Sequence, residues 1–145
     1  MQIKQMFAIF ILVVSTSVYA GIDAKKTQAL INAFQAAHKA KDPDKLMNLV
    51  HWDRVEKNAK QSIYTAFVDL VERDVSSVEL VPINDGEIFK YERNGVTYST
   101  NLTPIGKLIV NIKVTNPGES HLTDVSFLVG EVSGEYIITT AAPAK

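Results

Sequence analysis

The chain has 145 residues, no cysteine, and 15 basic against 16 acidic side chains, for a formal net charge of −1. The lack of thiols excludes a disulfide framework and thiolate metal sites, so packing alone must hold the fold. The balanced charge gives no electrostatic reason to expect nucleic acid as a partner.

Residues 1–20 read as a signal peptide rather than as part of the fold. Lys4 supplies the positive start, residues 6–14 are an unbroken apolar run too short for a membrane span, and Val18-Tyr19-Ala20 has small residues where a signal peptidase reads. Cleavage is expected after Ala20, giving an exported protein, periplasmic or secreted, with no stable membrane anchor. No cysteine is present to carry a lipid. The expected mature chain, residues 21–145, carries 14 basic and 16 acidic side chains, since Lys4 is the one charge lost. Its length suits a single domain with an adequate core.

Leu30, Phe34 and Ala37 follow the spacing of one helix face, with Asp23 placed to cap its start. Asp42 and Pro43 fit the cap and first position of a second, short helix with Leu46, Met47, Leu49 and Val50 on its buried side. Val55, Ala59, Ile63, Ala66, Phe67 and Leu70 then recur at steps of three and four and predict a third helix, the strongest periodic signal in the chain. Asp53 and Glu56 have the spacing of a capping box before it.

Strands are expected from residue 77 onward. Residues 77–83 are rich in β-branched side chains, and Asn84-Asp85-Gly86 is a turn signal. Residues 87–93 and 96–102 flank Asn94-Gly95, which predicts a tight hairpin. In 107–115, Leu108, Val110, Ile112 and Val114 form one apolar face. A loop is predicted over 116–120, a strand over 122–131, a turn at Ser133-Gly134, a last strand over 135–140, and a loose tail from Ala141. Helices followed by antiparallel strands make an α+β fold, N-terminal helices packed in a curved sheet that buries Phe67, Leu70, Leu108, Val110, Ile112 and Phe127.

Three stretches carry a family resemblance: Thr27-Gln28-Ala29-Leu30 through Lys39-Ala40-Lys41-Asp42, residues 44–52, and Val129-Gly130-Glu131-Val132-Ser133-Gly134-Glu135-Tyr136. In these the chain resembles the nuclear transport factor two-like superfamily, the cystatin-like α+β cone, and more narrowly exported bacterial proteins with a Trp-Asp pair after the second helix. The departure is the lack of an evident strand between Val50 and Asp53. The resemblance implies a cone-shaped pocket, and dimerisation through the open sheet face. Members include isomerases, cyclases, dehydratases and subunits without chemistry, so fold alone assigns no activity.

The candidate pocket residues are His38, His51, Trp52, Asp53 and Tyr98. His51 and Asp53 beside an aromatic suit acid–base chemistry, but a helix junction with a cap is the stronger reading, and His38 suits a cavity less well than a hydrogen-bonded boundary. His121 beside its loop reads as solvated. Tyr64 and Asp69 lie five apart on one helix and point in different directions, whereas Tyr91 and Tyr98 are placed as cross-strand partners. The three histidines show no metal-ligand spacing, and neither a phosphate loop nor a nucleophile turn is present, so neither metal nor cofactor is expected. The sequence supports an exported binding or accessory module without catalysis, taking a small apolar ligand in a cone-shaped pocket. The alternative is a cofactor-free isomerase, cyclase or lyase, which requires at least two His, Asp or Tyr groups to converge in that pocket. A homodimer through the sheet face is the third expectation.

Overall fold

The computed structural model describes residues 21–84, 87 and 89–145. The leader and cleavage site expected in residues 1–20, and Asp85-Gly86 of the expected turn, lie outside the described residues. Helix α1 (Ala24–Lys39) starts where Asp23 accepts the Lys26 N–H at 2.8 Å, and buries Leu30, Phe34 and Ala37. Helix α2 (Pro43–Met47) is capped by Asp42, whose carboxylate accepts the N–H groups of Asp44 and Lys45 at 3.0 and 3.3 Å. Its Leu46 is fully buried, with Val50 just beyond.

Helix α3 (Lys57–Leu70) begins later than the Asp53–Glu56 capping box predicts, and its cap position, Glu56, makes no side-chain cap hydrogen bond. Two competing interactions explain the correction. Arg54 adopts φ 60° and turns the chain, leaving Asp53 exposed and paired with the Arg54 guanidinium at 3.3 Å. The Glu56 carboxylate instead accepts the Tyr98 hydroxyl at 3.0 Å.

Seven strands follow: β1 (Asp74–Pro82), β2 (Lys90–Arg93), β3 (Val96–Thr100), β4 (Gly106–Asn116), β5 (Glu119–Val132), β6 (Glu135–Ile138) and β7 (Ala141–Pro143). They form antiparallel sheets of order β1-β4-β5-β6 and β2-β3-β7. The chain passes from one sheet to the other at Thr139-Thr140, where the Thr139 N–H donates to Leu128 O and the Asn101 N–H donates to Thr140 O, both at 2.9 Å. The result is α+β, with the helices held against a curved antiparallel sheet. The core joins Leu30, Phe34, Leu46, Phe67 and Leu70 to Leu108, Val110, Ile112, Val129 and Ile138. The Phe127 ring is half-buried and lies 6.4 Å from Phe34 and 5.7 Å from Phe67, centre to centre.

The hairpin at Asn94-Gly95 forms as expected, with φ of 52° and 74° at its two turn residues and Arg93 opposite Val96. Three other expectations need correction. The loop at 116–120 is only a two-residue turn, Pro117-Gly118, because Asn116 pairs with Glu119 and β5 starts there. Ser120, His121 and Thr123 are exposed on this arm, so a paired strand carries the polar composition of a loop. The tail is not loose: Ala141–Pro143 pairs with β3, the Ala144 N–H donates to Thr97 O at 2.8 Å, and Ala142 is buried. Alanine favours strands poorly, but backbone pairing and burial override that preference. Finally, Val50 forms a one-residue parallel bridge with Ile138. The His51 N–H donates to Ile138 O, and the Ile138 N–H donates to Leu49 O, both at 2.8 Å. The bridge is isolated and no strand forms between Val50 and Asp53, so one residue of pairing is what the sequence did not show.

Candidate functional site

A pocket of about 470 Å³ opens where β6 leaves β5 and the chain bends into β7. Helix α3 supplies Ile63, Ala66 and Phe67 from one face, because steps of three and four bring them together. Phe127 reaches in from β5, Val50 and Ile138 meet at the parallel bridge, and Phe89 and Tyr91 close the far side. Lys90 also borders the pocket, but strand alternation turns its side chain to the face opposite Phe89 and Tyr91. Thr100 and Thr140 add hydroxyls to an otherwise apolar lining, while Ser126, next to the inward Phe127 on β5, turns its side chain to the other face.

The far wall is braced. The Tyr91 ring stacks on Tyr98 at 5.1 Å with an interplanar angle of 8°, and the Tyr98 hydroxyl donates to Glu56 at the start of α3. That hydrogen bond to a carboxylate raises the Tyr98 pKa above its ordinary value, so the phenol stays neutral at physiological pH. Beneath the pocket Asn101, 8% exposed, clamps three segments. Its Nδ2 donates to His51 O at 2.7 Å and Asp53 O at 3.0 Å; its Oδ1 accepts from Thr139 Oγ1 at 2.7 Å and from the Thr140 N–H at 3.1 Å. A buried polar side chain with this many partners rigidifies what it joins. Thr139 Oγ1 also accepts the Leu102 N–H at 3.1 Å, so its hydroxyl is committed to the scaffold.

The sequence-derived candidates surround this pocket but do not line it. His38 lies elsewhere, with Nε2 2.9 Å from Arg73 O, beside a recess of about 90 Å³ between α1 and β1. His51 contributes its backbone to the bridge and to the Asn101 clamp. Trp52 donates from its indole to Met47 O at 2.9 Å and carries the Lys60 ammonium 5.1 Å above its ring. Asp53 is an exposed partner of Arg54. Tyr98 acts from behind Tyr91. None of the five candidates is in the lining, and among the residues that sequence reasoning missed there are Phe89, Phe127, Thr140 and Ala141, together with Asn101 beneath them. Asn101 carried one legible signal, an asparagine ending a strand just before a proline segment, but its partners lie far away in sequence. Among the described residues, no three metal-ligating side chains come together, and no helix is long and apolar enough to cross a membrane.

No family model matches the chain, and no curated protein matches it. Among solved structures, a designed protein with NTF2 in its name is similar at 10% identity and a TM-score of 0.42, over 79% of this chain and 95% of that one. At that level of likeness, the fold class rests on the elements described above.

Proposed function

We propose that this protein is an exported binding or accessory module that takes a small apolar ligand in the pocket between α3, β5 and the β6–β7 bend. The observation that carries the reading is the lining. About 470 Å³ bordered by Val50, Ile63, Phe67, Phe89, Phe127 and Ile138 lies within the range of about 300–1,000 Å³ typical of small-molecule sites. The hydroxyls at its margin would orient a ligand that has one polar end. The alternative, a cofactor-free isomerase, cyclase or lyase, calls for at least two His, Asp or Tyr groups inside the pocket. The described lining offers one phenol, Tyr91, and neither an imidazole nor a carboxylate, so binding is the reading we take. Export rests on the apolar run of residues 6–14 and the small residues before Gly21. An intact mass beginning at Gly21 in protein recovered outside the cytoplasm is the expected result.

The pocket is tested with Nile red, an uncharged apolar dye, titrated against the wild type and Ala66→Trp. Ala66 is exposed at the mouth, so the indole fills the opening while stability changes by less than about 0.5 kcal/mol. Saturable binding that weakens at least tenfold in the variant is expected. Equal binding by both proteins, or none by the wild type, rejects the pocket as the site.

A further inference from the structure

The outer edge of β5 is free over most of its length. β6 pairs only with Val129 to Val132, while β4 pairs with Glu119 to Val129 on the other side. The direction of each backbone group follows from the ladder. The closing pair Asn116–Glu119 and the bond from the Ile105 N–H to Val129 O turn the odd-numbered residues toward β4. The bond from the Thr139 N–H to Leu128 O turns the even-numbered residues the other way. Ser120, Leu122, Asp124 and Ser126 therefore direct their N–H and C=O groups outward, to no partner among the described residues. Between Glu119 and Leu128 there is no lysine, arginine or proline of the kind that usually protects an edge, and Leu122 is 66% exposed.

We propose that this edge pairs with the same edge of a second copy of the chain, antiparallel, about a two-fold axis at Thr123. One register satisfies all four outward residues: Ser120 opposite Ser126 and Leu122 opposite Asp124, each pair occurring twice by symmetry. Both copies present the same patch, as a closed two-fold interface requires. Side chains agree with it. Thr123 meets its own copy in a Thr–Thr cross-strand pair, and the two Leu122 side chains become diagonal neighbours. Lys113, which pairs with Leu122 on β4, lies in one row with Leu122 and the second copy's Asp124. Opposite charges thus flank the leucine across the joined sheet, and no carboxylate lies directly opposite another, although the same symmetry makes the two Asp124 side chains diagonal neighbours. The register also sets the second copy's Glu119 opposite Phe127, a pocket residue. The assembly then brings a carboxylate to a lining that has none of its own among the described residues. This pairing rests on the strand edge alone and differs from association through the sheet face.

The chain has no cysteine, which makes cross-linking specific. At the axis the two Thr123 residues form a non-hydrogen-bonded pair with Cα atoms about 4.5 Å apart, inside the range a disulfide spans, about 4.4–6.8 Å. Thr123→Cys is expected to yield a disulfide-linked dimer under mild oxidation. His121→Cys is expected not to, since residue 121 of each copy lies about 14 Å from its mate at a rise of about 3.4 Å per residue. Asp124→Pro removes an outward N–H that no β4 bond uses, so it is expected to give a monomer in sedimentation velocity with the far-UV spectrum of the dimeric wild type. A monomeric wild type, or a dimer in which Thr123→Cys does not cross-link, overturns the proposal. So does a folded Asp124→Pro protein that remains dimeric. If the proline variant fails to fold, the two cysteine variants decide alone.

Discussion

The two parts of β5 are paired along opposite edges, Glu119 to Val129 with β4 and Val129 to Val132 with β6, and they meet different surroundings. From Val129 onward, β6 covers the outer edge, and Val129 and Gly130 are buried. From Glu119 to Asp124 every residue is exposed, although the ladder to β4 continues unbroken. What separates the halves is the departure of the last strand at Thr139, held by Asn101 and by the bridge at Val50. The same departure opens the pocket beside Phe127 and frees the edge beyond it. A single bend in the chain thus creates both a cavity and an unpaired strand.

The largest expected effect comes from breaking the clamp that makes this difference. Asn101→Ala leaves His51 O, Asp53 O, Thr139 Oγ1 and the Thr140 N–H without their partner. Unsatisfied buried groups cost about 1–3 kcal/mol each, and relaxation recovers part of that. A loss of about 3 kcal/mol in urea unfolding is expected, together with weaker Nile red binding. A loss below about 1 kcal/mol would assign the bend to other contacts.

The next test substitutes each half of the strand separately. Val129→Ala removes buried methyl groups from a site with no exposure and is expected to cost about 2 kcal/mol. Leu122→Ala removes a larger side chain from the exposed arm, and in monomeric protein should change stability by less than about 0.5 kcal/mol. Equal costs at low protein concentration would mean that the two halves are not differently packed. A further contrast lies at Gly130, where a Cβ would sit 2.7 Å from Leu102 Cβ. Gly130→Ala is expected to cost about 1–3 kcal/mol by overpacking the covered half.

Smaller effects come from titration at the margins. The Tyr98 pKa is raised by its hydrogen bond to Glu56. The stability this contributes is present below the ordinary tyrosine value, about 10, and is lost as pH rises through the folded-state value. Tyr98→Phe should flatten the alkaline limb of a plot of Tm against pH. Glu87 behaves oppositely. Its hydrogen bond to the Lys107 ammonium lowers its pKa from 4.5, so the contribution is present above that value and is lost as pH falls through the folded-state value. Lys107→Met should flatten the acid limb. The reverse pattern in either variant would locate the titration elsewhere.

Much of the fold was legible because its signals are local. Asp23 and Asp42 cap their helices through neighbours two or three residues away. Asn94-Gly95 fixes a hairpin through its own two φ angles, and Leu108, Val110 and Ile112 announce a buried face by alternation. The candidate site was not legible in the same way. Asp53 and Glu56 carry the local signature of a cap, yet Arg54 turns the chain and Tyr98, 42 residues away, takes the carboxylate. Ala141 to Pro143 reads as a tail until β3 lies beside it.

The sequence by itself determined the helices, the caps of the first two, the turns at Asn94-Gly95 and Ser133-Gly134 and the α+β order, because these follow from interactions within a few residues. Only the tertiary structure decided where β6 parts from β5, which aromatics face the resulting pocket, and which stretch of edge is left bare. Those outcomes depend on Asn101 meeting Thr139 across 38 residues of chain and Val50 meeting Ile138 across 88, and no local pattern records such a meeting.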